Sequence, residues 1–203
     1  MIMSRAFLTA CFLLITTFGL FCRVVRAQEK APHLNGSPTP KSLMNDTAIK
    51  ENAFSLKLPG KWSADASDDP TRWSYHADSG HEFLTVSLLA FEQPLDHEQQ
   101  QQAIKRVAEI HRGVETKAAG TTALTMTEIT YGEWDGVLAA RYGGFEPPTR
   151  RRFHALLLCS PLAVTVYYYE AVDLSDPEAS NRARTIMNSI AVPKSLKHLR
   201  ATP

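Results

Sequence analysis

The sequence predicts an α+β domain: an antiparallel sheet of about seven strands in the order β-β-β-α-β-β-β-β-α, with two helices packed on it. Three observations carry this. Short runs alternate apolar and polar residues with period two and end at Gly or Pro, as in Phe54-Ser-Leu-Lys-Leu58 before Pro59-Gly60. Asp135-Gly136, between two such runs, is the strongest hairpin signal in the chain. Two other stretches, 98–116 and 175–190, place apolar residues at helical spacing behind a capping residue.

The first strand is Ala53 to Leu58, followed by Trp62 and an acidic loop from Asp65 to Pro70. Trp73 to Asp78 and His81 to Leu88 flank Ser79-Gly80. A two-residue loop there pairs Tyr75 with Leu84 and collects Trp73, Tyr75, Leu84, Val86 and Leu88 on one face, with Phe83 on the other beside His76. Asp96 caps the first helix, with Gln99 as reciprocal partner. The buried stripe holds Ile104, Val107, Ala108 and Val114, with His111 among them. Four strands follow: Thr125 to Trp134, Val137 to Tyr142 (broken by Gly143-Gly144), Arg150 to Ser160, and Ala163 to Glu170. The last two are apolar on both faces, so they belong at the centre of the sheet with something packed on each side. Ser175-Asp-Pro177-Glu178 starts the second helix as a serine cap with a capping-box glutamate, and Ala179, Ala183, Ile186, Met187 and Ile190 form its inner face.

The ends read differently from the middle. Arg5 precedes an apolar run from Ala6 to Cys22, and Val25 and Ala27 form a small-residue cleavage site before Gln28. Residues 1–27 are therefore expected to be an export signal, with an uncleaved inner-membrane anchor as the alternative. Residues 28–52 are polar and proline-bearing and read as a tether. One domain spans 53–193, and 194–203 form a basic tail. The chain has 22 basic and 21 acidic residues. Losing the three arginines of 1–27 leaves 19 against 21, a balance that points away from nucleic acid and acidic lipid. The membrane enters only through the N-terminal segment. Cys11 and Cys22 lie in that segment, so Cys159 stands alone and no internal disulfide is expected. The compartment expected is the periplasm or the exterior.

Phe54-Ser-Leu-Lys-Leu-Pro-Gly-Lys-Trp62 resembles the "strand, Pro, Gly, Trp" opening of the PsbP-like superfamily. Asp135-Gly136 and the ending Ala183-Arg-Thr-Ile-Met-Asn-Ser189-Ile190 sit where that superfamily has its middle hairpin and last helix. The resemblance spans about Ala53 to Val192. It implies a binding or assembly factor such as the extrinsic photosystem protein, a Ran-binding import factor or exported bacterial members of unknown role. It carries no shared catalytic motif, so no enzyme activity and no cofactor are expected.

Three sets of residues are candidates for chemistry or binding. His76, Asp78 and His81, at the first hairpin tip, are a workable zinc or manganese set. Arg150, Arg152 and His154 share one strand face by parity and could hold an anion. Trp134 and Tyr168 are candidates for a partner surface. His154 and Cys159 are five apart on a strand, on opposite faces and about 16 Å apart, too far for a nucleophile–base pair. His97-Glu98 opens like a zinc-protease motif, but Gln101 replaces the second histidine. The expected function is thus an exported, non-catalytic protein-binding or assembly module of the cell envelope with a protein partner. The alternatives are an immunity protein neutralising a secreted toxin, or a metal- or anion-binding protein.

Overall fold

The computed structural model describes residues 46–51, 53–120 and 123–193. The expected export signal, most of the tether and the basic tail lie outside the described residues. The elements are β1 (Thr47–Lys50), β2 (Ser55–Leu58), β3 (Trp62–Ala64), β4 (Arg72–Ala77), β5 (Glu82–Ala90), α1 (His97–Ala119), β6 (Thr125–Met126), β7 (Thr130–Trp134), β8 (Val137–Glu146), β9 (Arg151–Cys159), β10 (Ala163–Val172) and α2 (Asp176–Asn188).

Eight strands form one antiparallel sheet in the order β3-β4-β5-β10-β9-β8, with β6 and β7 both pairing along the far side of β8. The expected central strands are central: β9 and β10 pair with each other, and their outer neighbours are β8 and β5. The first hairpin keeps its predicted register, with Tyr75 opposite Leu84 and His76 opposite Phe83. Side-chain alternation divides the core between the two faces of the sheet. Leu156, Leu158, Tyr167 and Tyr169 pack on one face against Ala179, Ala183 and Ile186 of α2 and against Phe54, Leu56 and Leu58. Phe153, Leu157, Cys159 and Tyr168 pack on the other against Ala103, Ile104, Val107 and Ala108 of α1. Among the described residues, no helix is long and apolar enough to cross a membrane.

Several boundaries differ from the sequence expectation. The first predicted strand, now β2, stays out of the main sheet and pairs with β1, whose residues lie within the stretch expected as tether. A polar sequence suffices for β1 because it covers only one edge of a hairpin, with Ile49 packed on the core. Trp62 starts a short edge strand, pairing with Ala77, just ahead of the acidic loop expected from Asp65. The strand expected over 125–134 divides into β6 and β7. Gly143 and Gly144 do not end β8; they pair with His154 and Phe153, and the strand runs on to Glu146.

The helix starts separate as well. Asp96 forms the predicted capping box: its Oδ1 accepts from the Gln99 amide at 2.9 Å, and Gln99 Oε1 accepts from the Asp96 amide at 3.0 Å. Ser175 occupies the cap position of α2, but its side chain makes no cap hydrogen bond. Pro177 supplies no amide at the second helical position, which removes one of the two donors a serine cap can use.

Candidate functional site

The hairpin-tip residues are not assembled as a metal set. His76 Nδ1 lies 2.8 Å from Asp65 Oδ1, a carboxylate of the acidic loop. The backbone draws Asp78 and His81 to different neighbours: the Asp78 amide donates to the Lys61 carbonyl of the β3 side, while the His81 carbonyl accepts from Val172 at the end of β10. Among the described residues, no three His, Cys, Asp or Glu side chains come together as metal ligands.

Of Arg150, Arg152 and His154, the first falls out of the expected set, while Arg152 and His154 keep to one face of β9. Arg150 is left-handed, with φ 50°, and caps a single turn of 3-10 helix over Pro147–Thr149 instead of opening the strand. The strand parity that would align it with Arg152 therefore fails. Each arginine has a carboxylate already: Arg150 Nη1 lies 3.2 Å from Asp173, and Arg152 Nη1 lies 2.9 Å from Asp176 at the start of α2. The Arg152 guanidinium also lies 3.9 Å over the Phe145 ring. Burial holds the His154 pKa down, with Asp176 opposing that effect and Arg152 adding to it.

Sequence reasoning missed the arginine between them. Arg151 points to the α1 face, buried, and all three of its nitrogens are engaged. Nε donates to Glu146 at 3.1 Å, Nη2 to Glu115 of α1 at 3.1 Å, and Nη1 to both Glu170 and Tyr168 at 3.0 Å. Burial opposes the charge on Arg151, but Tyr168, Glu170 and Glu115 outweigh it and raise the pKa. Burial raises the Glu115 pKa despite the counter-effects of Arg151 and Tyr168. One helical turn earlier, His111 hydrogen-bonds the Tyr142 hydroxyl. This cluster joins α1 to β8, β9 and β10, the geometry of a structural tie. Cys159 is buried and its thiol is pushed up to about 12, away from the thiolate form a nucleophile needs.

The two partner-surface candidates part company. Tyr168 is 1% exposed and lies in the α1-side core, so it offers no surface. Its neighbours Tyr167 and Tyr169 fill the opposite core, as alternation on a central strand requires. Trp134 closes β7 half-buried, packed against the α2-side core, with the Arg141 guanidinium 5.3 Å over its ring. Just before it lies the residue the sequence did not single out. Among the described residues, Tyr131 is the only exposed large hydrophobic side chain, at 46%. Thr130 to Glu133 are all exposed, and β7 has a strand neighbour, β8, on one side only. Partial burial raises the Tyr131 hydroxyl pKa, and the charge of Glu109 on α1 adds to that rise. The β7 edge, from Thr130 to the Asp135-Gly136 turn, thus combines an exposed aromatic with an open strand side.

No protein-family model and no curated protein sequence matches the chain. Solved structures do. Cyanobacterial PsbP from Synechocystis superposes with a TM-score of 0.57 at 10% identity, over 78% of this chain and 98% of that one. A structure from Bacteroides thetaiotaomicron gives a TM-score of 0.45 at 10% identity, over 75% of this chain and 49% of that one. LpqN of Mycobacterium tuberculosis, described as involved in cell envelope biogenesis, gives 0.44 at 14% identity, over 75% and 93%. The chain has the PsbP-like fold that its opening strand, middle hairpin and last helix resemble.

Proposed function

We propose that this chain is an exported, non-catalytic binding or assembly module of the cell envelope that engages a protein partner through the β7 edge. The observation that carries it is the contrast between its polar chemistry and its exposed surface. Arg151, Glu115, Glu146 and Glu170 are buried in mutual contact, and Arg150 and Arg152 are paired with Asp173 and Asp176. The exposed aromatic, Tyr131, instead lies on a strand with an open side. Aromatic residues in such positions are the usual anchors of protein interfaces. Export rests on the apolar run Ala6 to Cys22 and the small-residue site before Gln28.

The test is affinity capture of the tagged full chain from its own cells after crosslinking, with mass spectrometry of both bait and prey. One stoichiometric partner, and bait beginning at Gln28, is the expected result. A secreted toxin as that partner would identify the immunity form of the same function. A folded bait that crosslinks to no protein overturns the proposal.

A further inference from the structure

The Asp135-Gly136 loop has φ 49° and 79° at its two residues, the left-handed pair of a two-residue hairpin turn. In such a hairpin the residues that flank the loop, Trp134 and Val137, exchange both backbone hydrogen bonds. Alternation then turns the amides and carbonyls of Tyr131 and Glu133 away from β8, toward the open side. Gly132 lies between them, and a Cβ added there would meet nothing within 4 Å. Two of the usual protections of an edge strand are missing, since residues 127–135 contain no lysine and no proline. The opposite edge of the sheet is different. There β3 has only three residues, and its Trp62 amide already donates to Thr47 Oγ1.

Charge selects the occupant. The stretch from Thr127 to Asp135 carries Glu128, Glu133 and Asp135 and no basic residue. The base nearby, Arg141, lies over Trp134 on the other face of the hairpin. A second copy of this edge would bring the same acids and no base to the pairing, which disfavours it relative to a basic strand. We propose that the β7 edge receives an extended, basic segment of the partner protein as an added strand, with backbone bonds at Tyr131 and Glu133 and cationic side chains against Glu128 and Glu133. This deepens the binding-module proposal and rests on it.

Strand addition takes its affinity from main-chain bonds and its specificity from alternate side chains, so simple alternating peptides are adequate probes. The isotope-labelled full chain is titrated with an alternating Lys-Val peptide and, separately, with a Glu-Val peptide of equal length, and backbone amide shifts are followed. The Lys-Val peptide is expected to shift residues 130–134, with the largest changes at Tyr131 and Glu133. The exposed double variant Glu128→Lys, Glu133→Lys is expected to move the preference by about tenfold toward the Glu-Val peptide. Shifts mapping elsewhere, equal binding of both peptides, no binding of either, or concentration-dependent pairing of the chain through β7 would each overturn the inference. The same double variant separates it from the broader proposal. A partner captured equally by wild type and variant keeps the binding module and removes the edge, whereas a partner lost with the variant supports both.

Discussion

Three glutamates converge on one guanidinium at Arg151, and that residue sets the sharpest expectation at the scale of single side chains. Removing one partner of a buried ionic group leaves the others uncompensated, at a cost of roughly 3–5 kcal/mol. Arg151→Met should therefore lower the unfolding free energy by about that much in urea titrations, because Glu115, Glu146 and Glu170 stay buried without their shared cation. Arg151→Lys should recover only part of the loss, since one ammonium cannot reproduce the three-nitrogen fork. Arg150→Met is the control. Its ion pair with Asp173 is well exposed, at 68% and 48%, so the change should stay within about 0.5 kcal/mol. Strand parity holds only from Arg151 onward, because Arg150 is left-handed and precedes β9. Arg151 shares its face with Phe153, Ala155, Leu157 and Cys159, all apolar, and that alone places it inward. Glu115 continues the stripe of Val107 and His111 on α1 by the same logic. Nothing in the sequence says that these two inward charges meet; only the crossing of α1 over β9 does that.

The elements show which local signals survive folding. Asp96→Ala removes the side-chain half of an observed capping box, the bond from the Gln99 amide, and should cost about 1 kcal/mol, whereas Ser175→Ala should cost almost nothing, because the Ser175 side chain makes no cap bond. Equal losses in thermal denaturation would contradict that distinction. The Gly143-Gly144 pair carries a second expectation. A Cβ on Gly143 would stand 2.8 Å from the Phe153 carbonyl oxygen, and one on Gly144 would stand 2.4 Å from the ring of Phe153, which is fully buried. Neither neighbour can move freely, so alanine at either position should destabilise by roughly 1–3 kcal/mol through overpacking. The sequence shows these glycines as a strand breaker because glycine commonly punctuates strands. Here they admit a neighbouring strand's aromatic ring, a role that depends on which strand lies alongside. The same difference governs the candidate site. The DG turn was legible, and so was the placement of β9 and β10 at the centre. That β7 would lie at the sheet's edge was not, because edge position is a property of the whole sheet order.

At the scale of the molecule, α1 is fastened to the sheet through titratable groups, so the stability of the layered fold must depend on pH. His111 is buried, and its pKa is lowered to about 4 by that burial, while an unfolded histidine titrates near 6.5. Between those values the unfolded chain binds a proton that the folded chain refuses. Stability from His111 is therefore complete above pH 6.5 and falls as pH drops toward 4, by at most about 1.4 kcal/mol per pH unit. Glu115 acts with the opposite sign. Burial raises its pKa above the ordinary 4.5, so the folded chain holds a proton the unfolded chain has lost, and stability declines as pH rises through the folded value. The two groups lie one turn apart on α1, and their slopes partly cancel in the wild type. Replacing His111 with glutamine keeps a polar group near the Tyr142 hydroxyl but removes the titration. In urea midpoints measured from pH 4 to 7, the variant should lose the acid-side decline and retain the fall with rising pH that Glu115 produces. An unchanged acid-side decline in His111→Gln would place its source outside this helix and show that the His111 contact does not couple α1 to protonation.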